Sequence, residues 1–257
     1  MGQGKTSLVQ RLYQRAVARY WARSARSAAT ARLAVLRQQS QKAQDLRRHL
    51  NRVIAVSQSR LALPLIGSNS FPRPHGTDWA WRPELWRQPL DRVGIASVAN
   101  RESLGAEVTL FHDCAVSEVT LRQIRNTREA DLAPFGVSMD VLGFDGSFLS
   151  LVVDLPDEAV RGLKRSHVIR LDTIVEQESP LEIFVRLNVK HGPNTEQVVH
   201  ELPVNQEVNT VEFDLAYTKL NEKRVEKAWV DLIFEGPEMN RVILRDATFS
   251  RRPRAEF

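Results

Sequence analysis

The sequence predicts a mainly β protein, an antiparallel jelly-roll-like β-sandwich preceded by a basic N-terminal α-helical arm. Three observations predict it. From residue 106 onward, short apolar runs alternate with turn residues at the spacing of sandwiches and barrels. Residues 6–58 hold neither proline nor glycine and are rich in Ala, Leu, Arg and Gln, all good helix formers. The charge is split: residues 1–62 hold 13 Lys+Arg and one acid, Asp45, for +12, while residues 63–257 carry 30 acids against 23 bases, for −7. Such a split marks an interaction arm on a separate body. The expected organisation is an arm over 1–62, a Pro/Trp-rich linker and latch over 63–105, and a sandwich over 106–257.

The first residues carry two short patterns. Gly4-Lys5-Thr6 has the end of a phosphate-binding loop but not the preceding glycine and strand, so nucleotide hydrolysis is not expected. MGQGKT also fits an N-myristoylation pattern at Gly2. Arginine outnumbers lysine 29 to 7, which leans to a bacterial source, where that modification is absent. Residues 1–40 also have the Arg-, Ser- and Ala-rich, acid-free character of an organellar import segment, which is an alternative reading of the arm.

The run LVQRLYQRAVARYWAR, residues 8–23, is four tetrads, each closed by an arginine. On a helix Arg11, Arg15, Arg19 and Arg23 form one ridge, with Leu8, Leu12, Ala16 and Tyr20 and then Val9, Tyr13, Val17 and Trp21 beside it. Like charges four residues apart repel, and an anionic surface relieves that repulsion. Arg11, Arg15, Arg19, Trp21 and Arg23 are the candidate contacts. A lipid surface suits the aromatic neighbours better than nucleic acid does. The competing reading docks the arm on the acidic body of the same copy or of another, the latter making a homo-oligomer. Leu33, Leu36, Ala43, Leu50 and Ile54 fit a heptad interrupted by Ser40 and Arg47, the outline of a short coiled coil.

Residues 61–90 hold Pro64, Gly67, Pro72, Pro74, Gly76, Pro83 and Pro89, and also Trp79, Trp81 and Trp86. Breakers mark a linker. Three tryptophans mark a segment pinned across the core by its rings, or a stacking platform for a ligand.

Strands are expected near 106–112, 118–124, 136–142, 147–155, 166–177, 180–191, 196–201, 207–215, 226–235 and 240–250. In PLEIFVRLNVKH, Leu181, Ile183, Val185, Leu187 and Val189 face one way, and Phe184, Arg186, Asn188 and Lys190 the other. In AWVDLIFEG, Val230, Leu232 and Phe234 oppose Trp229, Asp231, Ile233 and Glu235. Each outward face mixes an aromatic ring with polar groups, as a sugar site requires, so Phe184, Arg186, Asn188, Trp229 and Asp231 are candidate ligand contacts. An ordinary solvated sheet face is the plainer alternative.

The segments SFLSLVVDLP, PLEIFVRLNVKHGPNTEQVVHELP, VEFDLAYTKLNEKRVEKAWVDLIFEGP and VILRDATFSRRPRAEF resemble an uncharacterised alphaproteobacterial domain-of-unknown-function family. WVDLIFEGPEMNRVILRDATFS is similar to the closing strands of galactose-binding-like and carbohydrate-binding jelly rolls. That resemblance places Asp246 where those modules often hold a structural calcium, but Arg245 stands where an acid is common.

Chemistry is sparsely signalled. His112 and Cys114 share a strand side, but the other body histidines show no metal spacing, and no third catalytic member is visible. Glu176, Glu178 and Glu182 could supply the carboxylate pair of a glycoside hydrolase. No cofactor or metal is expected. One cysteine excludes an intrachain disulfide, and no long apolar run or signal-type segment is present, so a cytoplasmic protein, peripheral to the inner membrane, is expected. The leading expectation is a non-enzymatic binding module, carbohydrate-binding-like, tethered by its arm to an anionic surface. An assembly protein and a cryptic glycan-active enzyme are the alternatives.

Overall fold

A computed structural model describes residues 8–61, 71–128 and 130–254, with backbone alone at 8–12, 14, 55 and 58–61. The patterns at Gly2 and at Gly4–Thr6 lie outside the described residues, as does the side chain of Arg11. The chain divides into two compact units, residues 1–54 and 55–257.

The first unit is helical. Helix α1 spans Leu8–Ser27 and helix α2 spans Leu33–Leu61, continuing past the unit boundary. A single tight turn, Ala28–Thr30, separates them without proline or glycine. Two hydroxyl bonds accompany the break: Ser27 Oγ donates to the Ser24 carbonyl at 3.2 Å and Thr30 Oγ1 to the Ser27 carbonyl at 3.4 Å, while Ala31 turns extended. Trp21, Ser24, Ala25 and Ala28 of α1 share a crevice of about 250 Å³ with Leu36, Gln39, Ser40 and Ala43 of α2. No side chain described between residues 13 and 57 is buried. No described helix is long and apolar enough to cross a membrane.

The second unit is a sandwich of antiparallel strands. They are β1 (Trp79–Trp81), β2 (Gly94–Ile95), β3 (Glu102–Leu104), β4 (Val108–His112), β5 (Val119–Arg125), β6 (Phe135–Val141), β7 (Leu149–Asp154), β8 (His167–Gln177), β9 (Ile183–His191), β10 (Asn194–Glu201), β11 (Asn209–Asp214), β12 (Val225–Phe234) and β13 (Asn240–Pro253). One sheet runs β11-β8-β13-β6-β5-β2, with β1 also on β13, and the other runs β10-β9-β12-β7-β4-β3. From β6 to β13 the chain distributes its strands between the sheets in jelly-roll order. The ten expected runs fall on β4 to β13. The two- and three-residue strands β1 to β3, set among breakers, carry too few residues for an alternation to show.

The inward residues of both sheets form the core. Ile183, Val185, Leu187 and Val189 of β9 meet Ala228, Val230, Leu232 and Phe234 of β12 and Leu149, Leu151 and Val153 of β7 in one buried cluster with Phe213, Val242, Leu244 and Phe249. The alternation read in β9 and β12 therefore points as the sequence predicts. On β13 the register shifts between Leu244 and Asp246. The irregularity changes the phase of the strand, so that Val242 and Leu244 before it and Ala247 and Phe249 after it all reach the core.

The tryptophan-rich segment lies on this core. β1 pairs with β13, Trp79 opposite Arg251 and Trp81 opposite Phe249. Pro83 opens the short helix α3 (Glu84–Arg87), which presents Leu85 and Trp86, both fully buried. The Trp86 indole donates to the Leu244 carbonyl at 3.0 Å. Arg82 binds both oxygens of Asp246, at 2.8 and 2.7 Å, in a nearly dry site, with its guanidinium 4.9 Å from the Phe71 ring centroid. Asp246 is thereby committed to a cation the chain itself supplies. Among the described residues, no cluster of acids, histidines or cysteine is grouped to hold a metal ion.

On the outer face of the β8–β13 sheet, Glu176 binds Arg245 at 2.6 and 2.7 Å and Arg128 at 2.8 Å. The hydrogen bond from Arg245 pulls the Glu176 carboxyl below the usual range; burial opposes it, and the charges of Arg245 and Arg128 reinforce it. A carboxyl with a lowered folded value stabilises the fold above its unfolded value, near 4.3, and that contribution drains away as pH falls toward the folded value. Glu176→Gln is expected to flatten this acid limb in urea-midpoint measurements between neutral and acidic pH. An identical pH slope in variant and wild type would show that the cluster adds nothing.

Candidate functional site

The outer face of the six-stranded sheet holds an open cleft of about 590 Å³. Antiparallel register builds it. Across β9, β12 and β7, Asn188 pairs with Trp229 and Trp229 with Asp154; Arg186 pairs with Asp231 and Asp231 with Val152; Phe184 pairs with Ile233 and Ile233 with Ser150. Thr109 and Phe111 of β4 continue the last two rows opposite Val152 and Ser150. Period-two alternation puts all of these on the face away from the core.

A polar network crosses the floor. Arg186 Nε and a terminal guanidinium nitrogen reach Asp231 Oδ2 at 2.7 and 2.6 Å. Asn188 Nδ2 donates to the same oxygen at 3.1 Å, and Gln197 Nε2 of β10 donates to Asn188 Oδ1 at 2.9 Å. Asp231 and Asn188 are buried, so their geometry is set before any ligand arrives. Trp229 stands half-buried beside the network, with the Lys227 ammonium 5.0 Å from its ring centroid. Phe111, Phe148 and Ile233 line the other end. Ser150 lies among them, 6 % exposed, and its hydroxyl has no hydrogen-bond partner. The four charged side chains lining the cleft, Asp154, Arg186, Lys227 and Asp231, sum to zero.

The structure brings Arg186, Asn188, Trp229 and Asp231 together, although β9 and β12 lie some forty residues apart in sequence. Arg186, Trp229 and Asp231 line the cleft, Asn188 braces Asp231 from behind, and Phe184 sits beside Ile233 outside the lining. Sequence reading missed Thr109, Phe111, Phe148, Ser150, Val152, Asp154, Lys227 and Ile233. The signal for Ser150, Val152 and Asp154 was the alternation in SLVVDLP; the pairing of β7 with β12 was not readable. In the arm, Arg15, Arg19 and Arg23 are exposed, whereas Trp21 is half-buried at the crevice toward α2.

Of the residues considered for catalysis, Glu178 and Glu182 are exposed, and His112, Cys114 and Glu176 are poorly set for it. His112 is buried, with Nε2 2.8 Å from the Val98 carbonyl and Nδ1 accepting from the Cys114 amide at 3.2 Å, so it cannot serve the thiol as a base. Burial, ahead of the neighbouring Asp145, pushes the Cys114 thiol up, away from an activated thiolate. Glu176 is neutralised by two guanidinium groups, a poor setting for a proton donor.

Fold and cleft together define a jelly-roll β-sandwich protein with an open, aromatic-and-polar face on its six-stranded sheet. The chain belongs to a family of unknown function (DUF6478), whose model matches residues 1–257. No curated protein matches it. Solved structures with a similar chain path include the enzymatically active domain of bacteriophage CBA120 tailspike protein 4, at TM-score 0.40 and 10 % identity over 60 % of this chain. This chain spans 21 % of that one. A family 11 carbohydrate-binding module from Clostridium thermocellum, in complex with a mixed-linked tetrasaccharide, gives TM-score 0.39 at 12 % identity, covering 65 % of this chain and all of that one. The C-terminal family 22 carbohydrate-binding module of Clostridium thermocellum Xyn10B gives 0.38 at 9 % identity, covering 73 % and 100 %.

Proposed function

We propose that the protein is a non-enzymatic glycan-binding module whose basic helical arm attaches it to an anionic membrane surface. One observation carries the glycan reading: a half-buried indole, Trp229, lines an open cleft beside the Arg186–Asp231 pair, which Asn188 and, through it, Gln197 hold in place from outside the lining. A pyranose has an apolar face suited to a ring and a rim of hydroxyls suited to planar amide, guanidinium and carboxylate groups. A concave site with an aromatic wall and a few fixed polar groups is the usual form of a small-ligand site. The cleft's zero net charge favours a neutral glycan over an acidic one.

The arm reading rests on charge and exposure. Residues 1–62 carry +12, Arg15, Arg19 and Arg23 point to solvent, and no described side chain from 13 to 57 is buried. A helix with no buried face draws little stability from packing within the arm, and an anionic surface supplies what is missing.

Affinity electrophoresis through gels cast with neutral polysaccharides tests the glycan reading. Wild type is expected to be retarded by at least one of them. Trp229→Ala is expected to lose about tenfold or more in affinity, the scale of an aromatic anchor, while its unfolding midpoint stays close to wild type. Equal retardation of both proteins would remove the cleft from the account.

A further inference from the structure

We infer that the arm's lipid-inserting element is the C-terminal half of α2, where Leu50, Val53 and Ile54 enter the interface of an anionic bilayer. This rests on the membrane reading of the arm and names the element that does the inserting. Positions 50, 53 and 54 share one face of the helix, and heptad spacing carries that face back through Ala43 to Leu36. At Leu36 and Ala43 the face lines the crevice shared with α1. Farther along it is uncovered: Leu50 is 51 %, Val53 62 % and Ile54 48 % exposed. Trp21, the arm's one tryptophan, lines the crevice instead, so the aromatic anchor expected from the tetrads is turned toward the partner helix.

Charge selects the occupant. Arg47 and Arg52 flank these residues, both exposed, and the arm's one acid, Asp45, is bonded to Arg48. A second copy of the arm would set +12 against +12; the acidic body of another copy, at −7, would meet the arginines, and oligomers that dissociate with salt would reveal that occupant instead. Nucleic acid would neutralise the arginines but leave three aliphatic side chains in water. An anionic bilayer takes both, with arginines at the headgroups and the aliphatic face at the acyl boundary.

The test is co-sedimentation of the full chain with vesicles of equal parts phosphatidylglycerol and phosphatidylcholine, at low and high salt. The variant carries Leu50→Ala, Val53→Ala and Ile54→Ala together; it keeps the net charge and the helix propensity, which circular dichroism checks. Wild type is expected to bind, and the triple variant to lose about tenfold or more in partition at the same salt. Trp21→Phe is expected to bind as wild type does. If the triple variant binds undiminished, the inserting element is not α2, and the membrane reading of the arm stands. If wild type itself fails to sediment, or binds duplex DNA instead, insertion and membrane reading fall together.

Discussion

Arg82→Ala is expected to destabilise the sandwich by about 3–5 kcal/mol at neutral pH, the cost of leaving a buried charge without its partner. Arg82 is 1 % exposed and Asp246 6 %, and two hydrogen bonds join them across 164 residues of sequence. Burial pushes the Asp246 carboxyl up, and Arg82 pulls it back. Without Arg82 only the hydrogen bond from the Ala247 amide is left to oppose that push. A carboxyl whose folded value is raised binds its proton more readily folded than unfolded. The deficit should therefore be largest at neutral pH and shrink as pH falls through the raised value. The double replacement Arg82→Met with Asp246→Leu removes both charges and should recover most of the loss. Chemical denaturation across pH measures this. A loss below about 1 kcal/mol for Arg82→Ala would mean that water reaches the site and that the segment carrying Arg82 is loosely held.

Trp86→Ala is expected to cost about 3–5 kcal/mol, a large fraction of the total stability of a typical domain. The ring is fully buried beneath the β13 strand, and its nitrogen satisfies the Leu244 carbonyl. Truncation opens a large cavity and leaves that carbonyl unpaired. Trp86→Phe keeps most of the packing and should cost markedly less. Because Trp86 lies far along the chain from β13, both variants test whether residues 79–90 are part of the sandwich. Similar, small losses for both would place the ring outside the cooperative core.

Much of the body was legible because alternation is a local signal. The faces of β9 and β12 could be assigned residue by residue: Val185 and Leu187 inward, Arg186 and Asn188 outward, Leu232 inward, Trp229 and Asp231 outward. The rows across strands were not legible. Which residue lies opposite Trp229 is set by long-range register, and the sequence contains no mark that β7 flanks β12 on one side and β9 on the other. For that reason half the cleft, from Thr109 to Asp154, escaped notice. Asp246 shows the same limit in another form. Its position suggested a cation, and the cation is Arg82, placed beside it by tertiary packing alone. In the arm, the arginine tetrads were plain in the sequence, but the turn at Ser27–Thr30, marked by two hydroxyl bonds and by neither glycine nor proline, sends Trp21 toward α2 and leaves Leu50, Val53 and Ile54 as the exposed apolar face.

The central claim is that the outer face of the six-stranded sheet binds a glycan. The most direct measurement titrates the neutral oligosaccharide corresponding to the retarding polysaccharide into isotope-labelled full-length protein and follows amide and indole shifts by NMR. The account predicts saturable shifts at Trp229, Asp231, Arg186 and Ile233, with the Trp229 indole among the largest, and none of that size on the β8–β13 face. Shifts confined to the other sheet, or absent at saturating sugar, would contradict it.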